Sequence, residues 1–319
     1  MVPMSSPLYL KRQSVKKISI HLLSQNRSLY STRRLFEEAF KRNHNIKVYP
    51  PLDLSMQLDR NHRSIYFQGK EIPAPDCVIP RMGQHKPAYI LSVIRQYELM
   101  SSFSLNPSQA MDRSRDKFRS LQVLTQTSLG LPRTFFLDNE ADIANAIAAV
   151  GGAPLIIKAS SGTQGKGVML AESSRSAKSI LESLLSRGTQ ILVQEFITES
   201  SGIDTRVIVL GDKVIAAMKR SSIGDDFRSN LHLGATSENT ELSIEMEKSA
   251  IMAASALGLQ FSGVDIVNSN RGPLILEVNP SPGLEGIENS TGKNIAEECI
   301  KFLEKLYKLK RIKKDSIGY

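Results

Sequence analysis

The chain has 319 residues, 41% of them hydrophobic, so it is long enough for two or three packed units and too apolar for a disordered or fibrous protein. Its formal charge of +9 indicates an acidic partner without distinguishing nucleic acid, nucleotide and carboxylate-rich peptide. No apolar run approaches the ~20 residues that cross a bilayer, no signal peptide is evident, and the two cysteines form no metal or disulfide pattern, so we expect a soluble, cytoplasmic protein.

The first predicted unit alternates strands and helices. Its elements are a strand over residues 18–23, a helix over 33–43, strands over 46–49, 65–68 and 77–79, and a helix over 87–102. The first helix carries an apolar face formed by Leu35, Phe36, Ala39 and Phe40. The Asn106-Pro107 pair ends the unit, so we assign residues 1–17 to a basic N-terminal extension and residues 18–106 to an N-terminal α/β domain.

Two further units follow this domain. A helix beginning near Ser108 leads to a Gly-Leu-Pro break at 130–132, after which the order is strand, helix, strand, glycine loop, strand, helix, strand. We assign residues 107–195 to this central α+β subdomain. In residues 196–319, two hairpins with turns at 211–212 and 270–272 predict an antiparallel sheet, which is followed by a basic tail.

A glycine-rich loop, SSGTQGKG over residues 160–167, lies between two short strands. Its glycines would let backbone N–H groups approach a phosphate, but the spacing fits neither a Walker loop nor the dinucleotide fingerprint, and a plain hairpin turn is the alternative. Lys158 ends the preceding apolar strand, where burying its charge is costly unless an anion receives it. A nucleotide triphosphate would serve, while a lysine that simply reaches solvent is the other interpretation.

Three oxygen-bearing side chains are predicted to converge in the last hairpin. Glu277 and Asn279 lie two residues apart and therefore on one face of their strand, and the partner strand can bring Asp265 beside them. Two carboxylates and an amide among aliphatic residues suit magnesium or manganese rather than zinc. A solvent-facing polar surface is the alternative, but the polar faces fall on neighbouring strands, and this favours a metal site.

Taken in order, these segments resemble the ATP-grasp superfamily. A closer resemblance, to the RimK-type α-L-glutamate ligases, is carried by SLYS at 28–31, VIPRMG at 78–83, VGGAP at 150–154, GTQG at 162–165, FRSNLH at 227–232 and SPGLEGIE at 281–288. The best-known members of that family modify ribosomal protein S6. The resemblance covers nearly everything from Ile18 to about Leu306, and it implies an ATP-grasp fold, α/β and α+β, with an N-terminal pre-ATP-grasp domain.

The resemblance implies a role for individual residues, which fall into four sets. The implied ATP-binding residues are Lys117, Lys158, Gly162, Gly165, Gly167, Glu195 and Phe196 at the adenine hinge, Asp204 at the ribose, and Arg228, Ser229 and Asn230 at the reacting phosphate. Arg228 and Lys158 would be catalytic. The implied ligands of two magnesium or manganese ions are Asp265, Glu277 and Asn279. The implied substrate-binding residues are Arg206, Arg220, Ser281 and Gly283.

The resemblance also implies an activity. It is that of an ATP-dependent ligase which adds L-glutamate to the C-terminus of a protein acceptor, with ribosomal protein S6 as first candidate, through an acyl-phosphate. One alternative is the addition of glutamate or another amino acid to a small carboxylate such as a coenzyme. Another is a non-catalytic nucleotide- or RNA-binding protein, against which the metal set argues. The ligase needs no membrane and no direct contact with nucleic acid, and a homo-oligomer is compatible with it.

Overall fold

The computed structural model describes residues 16–83, 85–159, 167–224, 227–229, 231 and 234–308. Several residues for which the sequence predicts a role lie outside the described residues. They are most of the N-terminal extension, Gly162 and Gly165 of the glycine loop, Asn230, and the tail from residue 309. Within the described part, no helix combines the length and apolar character needed to cross a membrane.

The N-terminal domain is built on a four-stranded parallel sheet. In chain order its elements are β1 (Ser19–Leu23), α1 (Tyr30–Lys41), β2 (Asn45–Tyr49), β3 (Leu54–Leu58), β4 (Arg63–Phe67), β5 (Lys70–Ile72), β6 (Cys77–Pro80), α2 (Pro87–Leu99) and β7 (Phe103–Ser104). The strand order is β2-β1-β6-β7, and β1 pairs in parallel with both neighbours, which confirms the predicted βαβ opening. The strand predicted near residues 65–68 is β4, but it belongs to a separate antiparallel sheet, β3-β4-β5.

One residue of the predicted apolar face of α1 is exposed. Leu35 and Ala39 are buried and Phe36 is partly buried, whereas Phe40 is 69% exposed. Successive helical residues are rotated by about 100°, so the Phe36–Phe40 pair flanks the buried stripe that Leu35 and Ala39 define. The two phenylalanine rings lie roughly parallel with centroids 6.4 Å apart at the margin of the core.

The central subdomain has the predicted element order. Its elements are α3 (Ser108–Arg115), α4 (Lys117–Leu124), β8 (Thr134–Leu137), α5 (Ile143–Ala149), β9 (Leu155–Ala159), β10 (Val168–Ala171), α6 (Ser174–Leu185) and β11 (Ile191–Glu195). The strands form an antiparallel sheet in the order β10-β9-β11-β8. The single helix predicted from Ser108 is two helices, because the Asp116 carboxylate accepts hydrogen bonds from the N–H groups of Phe118 and Arg119 and starts α4 anew.

The third unit is an antiparallel sheet covered by helices. Its elements are β12 (Ile203–Leu210), β13 (Lys213–Ser221), β14 (Thr236–Asn239), α7 (Ile244–Ala256), β15 (Phe261–Ser269), β16 (Gly272–Asn279), α8 (Glu285–Thr291) and α9 (Ile295–Lys308). The order is β14-β13-β12-β15-β16, so both predicted hairpins are present. Gly211 and Gly272 have φ of +64° and +92° in the two turns, a conformation that favours glycine.

The N-terminal domain and the third unit share one apolar core. Ile20 and Leu22 of β1 lie in the same buried cluster as Ile208 of β12 and Cys299 of α9. At the edge of this core, Arg42 Nε and His44 Nε2 lie 2.7 and 2.8 Å from Glu304 Oε1 on α9. Because this core joins residues far apart in the chain, no local sequence pattern indicates it.

Buried His21 is expected to make the stability of the protein depend on pH. Its Nδ1 lies 3.1 Å from the Tyr97 hydroxyl, and burial together with the charge of Lys47 lowers the pKa of His21 from an ordinary 6.5 to about 4. The unfolded chain therefore binds the extra proton first as the pH falls, so the free energy of unfolding decreases between pH 6.5 and 4, by up to about 3 kcal/mol.

Chemical denaturation of the protein and of His21→Gln at several pH values measures this contribution. The variant should lose that part of the pH dependence. His62→Gln is the matched control, since the His62 side chain is 49% exposed. Equal pH dependence in the protein and in His21→Gln would contradict the assignment.

Candidate active site

A row of charged side chains crosses the middle of the third unit's sheet. Asp204 and Arg206 of β12 lie on the same strand face, and the register pairs them with Arg220 of β13 and Asp265 of β15, respectively. Arg206 donates from Nε and Nη2 to the two oxygens of Asp265, at 2.7 and 2.6 Å. Arg220 makes the same two-pronged contact with Asp204, and its Nη2 also lies 2.9 Å from Asp265 Oδ2. Glu277 of β16 pairs with Asp265 and completes the row.

These charges are coupled because they share a poorly solvated space. Burial alone would raise the pKa of Asp265, but the guanidinium groups of Arg206 and Arg220 lower it to about 2. Burial and the neighbouring Asp265 carboxylate raise the pKa of Asp204, against the effect of Arg220. Partial desolvation in the cleft and repulsion from Asp265 also raise the pKa of Glu277, although 53% of its side-chain surface is exposed.

Two lysines from the central part of the chain face the same carboxylates. Lys117 is the first residue of α4, and the adjacent Phe118 ring stacks on Phe136 of β8 with centroids 4.2 Å apart. Lys158 of β9 donates from Nζ to Gln194 Oε1 at 2.6 Å. Burial lowers the pKa of both lysines, while the charge of Glu277 acts in the opposite direction on each. Elements from two units therefore converge on one cleft of mixed charge.

The predicted metal ligands have a suitable donor set. Arg206 Nη2 approaches Glu277 Oε1 only to 3.9 Å, Asp265 is held by the two arginines, and Asn279 Oδ1 accepts the Ser281 N–H at 2.8 Å. Each of these oxygens has a second lone pair, and an oxygen-only set suits magnesium. In the described residues, no group of three or more His, Cys, Asp and Glu side chains could hold a metal. The predicted set has two carboxylates and an amide, so its metal role stays a prediction.

The predicted adenine hinge is held by ion pairs. Glu195 accepts from Arg133 Nη2 at 2.9 Å and from Arg271 Nη2 at 2.7 Å, so it links β8 to the last hairpin turn. Burial alone would raise the pKa of Glu195, but the two arginines lower it to about 2. The neighbouring Phe196 ring is edge-on to Phe227, with centroids 6.4 Å apart. Both carboxylate oxygens of Glu195 are therefore engaged in ion pairs within the protein.

The remaining predicted residues lie around this cleft with different accessibility. The Arg228 guanidinium lies 5.7 Å from the Phe227 ring centroid, and Ser229 is buried with its hydroxyl hydrogen-bonded to Asp204. Gly167, at φ +84°, accepts the Ala159 N–H with its carbonyl. The Arg206 side chain is 14% exposed, whereas those of Arg220 and Asp204 are 3% and 8% exposed. Direct contact of Arg220 and Asp204 with a ligand stays a prediction. Their burial and their pairing with each other argue against such contact.

Sequence reasoning missed several residues that the structure brings to the site. The Gln194 side chain accepts a hydrogen bond from Lys158 and donates one to Thr134 Oγ1 at 2.9 Å. Arg133 and Arg271 fix Glu195, and Arg81 of the N-terminal domain donates from Nη2 to the Pro282 carbonyl at 2.8 Å. Cross-strand alternation offered a signal for Gln194, which lies on the strand beside β9. For Arg81 the sequence offered its place at the end of a strand and within the VIPRMG string at 78–83 that carries the family resemblance.

Family models match almost the whole described chain. A model described as the RimK PreATP-grasp domain matches residues 18–111, and one described as the RimK-like ATP-grasp domain matches residues 114–303. Among curated relatives, the probable alpha-L-glutamate ligase 1 of Shewanella frigidimarina is 47% identical over 299 residues, 94% of this chain and 99% of the relative. The probable alpha-L-glutamate ligase of Chromohalobacter salexigens is 48% identical over 286 residues, 90% of this chain and 95% of the relative.

Solved structures with the same fold are more distant in sequence. The ATP-grasp ligase PsnB complexed with a minimal precursor has a TM-score of 0.71 at 22% identity, covering 90% of this chain and 98% of that one. The D-cycloserine synthetase DcsG has a TM-score of 0.68 at 17% identity, covering 91% and 99%. At these identities the likeness concerns the fold alone, and it confirms the ATP-grasp architecture expected from the sequence.

Proposed function

The chain belongs to the family of RimK-like ATP-grasp ligases, and from this premise we propose that it adds L-glutamate to the C-terminal carboxylate of a protein acceptor, with ribosomal protein S6 as first candidate. The observation that carries the proposal is the convergence of Lys117 and Lys158 with Glu277 and Asp265 in one cleft. Such a cleft combines cations for a triphosphate with oxygen ligands for a divalent ion.

The lysines bind and orient the nucleotide in this proposal. Burial disfavours their charged ammonium groups, and a phosphate chain would offset that cost. Asp265, Glu277 and Asn279 would hold magnesium, and that ion, when bound, supplies charge neutralisation at the terminal phosphates. Arg220 keeps Asp204 and Asp265 in place from the buried side. Direct contact with the reacting groups then falls to Arg206 and Arg228, which are less deeply buried.

In this proposal the acceptor carboxylate is activated as an acyl-phosphate. The acceptor carboxylate attacks the γ-phosphorus and ADP leaves, and the amino group of glutamate then attacks the acyl carbon, forming the amide and releasing phosphate. Arg228 is the first choice to stabilise the developing oxyanion, and Lys158 offsets negative charge on the phosphates. The glycine loop would have to exclude water from the acyl-phosphate, a step that concerns residues outside the described part.

Intact-mass analysis of purified S6 after incubation with ATP, magnesium and glutamate tests the proposal. The expected result is a set of masses that increase by whole glutamyl residues, with one ADP and one phosphate released for each addition. Glu277→Ala protein, prepared in parallel, controls for contaminating ligases. If S6 is unchanged while a small coenzyme-like carboxylate is converted with ADP release, the enzyme is the small-molecule ligase instead. Nucleotide binding without turnover on any acceptor would contradict both.

A further inference from the structure

Arg81, the residue that follows β6, carries a charge that the described protein does not balance. Its backbone N–H donates to the Leu23 carbonyl at 2.8 Å, and its Nη2 donates to the Pro282 carbonyl, also at 2.8 Å. Its Nη1 is buried and has no hydrogen-bond partner among the described residues. A buried donor without an acceptor is costly, and more so on a cation.

Arg81 differs in its surroundings from Arg34, Arg206 and Arg220. Arg206 and Arg220 each face carboxylates, and Arg34 lies 2.9 Å from Glu288, whereas Arg81 makes no ion pair with an acidic side chain of the described part. The nearby Cys299 does not compensate, because burial raises the pKa of that thiol to about 12 and keeps it neutral. Burial lowers the pKa of Arg81 only to about 10, so its guanidinium is still charged at neutral pH.

Arg81 lies on the seam between the N-terminal domain and the catalytic cleft. Pro282, which it contacts, packs so closely on β15 that a Cβ added at Gly263 would lie 2.9 Å from Pro282 Cβ and 3.7 Å from Arg206 Cδ. On the other side, the Gly83 carbonyl accepts Arg115 Nη2 at 3.2 Å, at the end of the helix that precedes Lys117. The segment from Arg81 to Gly83 therefore connects the turn that contains Pro282 with the end of α3, next to Lys117.

We propose that Arg81 is a specificity-determining residue that binds a substrate carboxylate other than the one activated for ligation. The inference rests on the proposed function, since glutamate and a glutamate-terminated acceptor both carry such a group. A planar guanidinium with an unused donor is the side chain best suited to a carboxylate. The charge of Arg81, which no acidic side chain of the described residues pairs with, would then be balanced when substrate is bound.

Steady-state kinetics of Arg81→Lys and Arg81→Met, with glutamate and acceptor varied separately, test this proposal. We expect the KM for one of the two carboxylate substrates to rise at least about tenfold, because a charge-assisted contact is lost, while the affinity for ATP stays within about twofold. A rise for glutamate identifies the amino acid as the source of the carboxylate, and a rise for the acceptor identifies the protein tail. Arg63→Met, at an exposed position on β4, is the matched control.

Three outcomes separate this proposal from its alternatives. If both Arg81 variants lose activity only in proportion to their folded fraction, measured by thermal unfolding, Arg81 is a structural residue and the proposal is wrong. If Arg81→Met fails to fold, Arg81→Lys still decides, since it keeps the charge but loses the planar pair of donors. If the unmodified protein does not ligate glutamate, the proposed function fails, and the same variants assayed with the amino acid that it does ligate test Arg81 independently.

Discussion

Replacing Glu277 with alanine is expected to reduce the rate of glutamate ligation by more than ~100-fold, beyond the ~10 to 100-fold that loss of an outer-shell partner costs a metal site. Glu277 is the carboxylate of the row that Arg206 approaches only to 3.9 Å, so its oxygens are the most available for a cation. The removal should also weaken the binding of magnesium-nucleotide more than that of nucleotide without metal, which calorimetry can measure.

Glu238→Ala is the matched control for this substitution. Glu238 lies on β14 of the same sheet, and its side chain is 68% exposed and pairs with Lys219 rather than with the cleft. Its removal should leave both the rate and the magnesium dependence unchanged. Near-normal turnover of Glu277→Ala at saturating magnesium would show that Glu277 is not a ligand.

Replacing Lys158 with methionine should weaken ATP binding without destabilising the protein. One charge-assisted contact to phosphate is worth roughly 1.5 to 3 kcal/mol, so the Kd for ATP should rise by about 10-fold to 100-fold. Methionine fills nearly the same volume but carries no charge, and it removes an ammonium that burial already disfavours. The melting temperature of the nucleotide-free protein should therefore be unchanged or higher.

Weaker ATP binding without a lower melting temperature is what distinguishes a nucleotide-binding lysine from a structural one. Calorimetric titration with ATP and thermal unfolding of the same preparation measure both. Lys178→Met on α6 is the matched control, because the Lys178 side chain is 65% exposed in the same subdomain. A lower melting temperature with unchanged ATP affinity would show that Lys158 serves its hydrogen bond to Gln194 alone.

Features with a short period or a short span could be predicted from the sequence. The two-residue period of strands placed Glu277 and Asn279 on one face, and the turn at 270–272 predicted the hairpin that pairs Asp265 with Glu277. The order of strands and helices in the central subdomain followed in the same way. The two differences between the predicted and the observed helices are local as well. Asp116 restarts a helix that hydrophobic periodicity alone continues, and Phe40 lies just outside the buried stripe of α1.

The sequence could not indicate which charges neutralise one another. Arg206 and Asp265 are far apart in the chain, and whether an arginine faces a carboxylate or a ligand depends on the sheet register that brings the strands together. The same holds for Lys117, whose neighbours in the chain resemble those of any lysine on a helix surface. The placement of these groups in one desolvated cleft is a property of the tertiary structure.

By itself the sequence predicted the α/β and α+β units, the hairpins and the oxygen donors of the candidate metal site, because periodicity and turn chemistry act within a few residues. Only the tertiary structure decided that the N-terminal domain shares a core with the last sheet and that Arg81 reaches the Pro282 turn. It also decided which arginines are already paired. The reason is physical: burial and Coulomb interaction depend on distance in space, and a strand end such as Pro80-Arg81 carries no local record of what will pack against it.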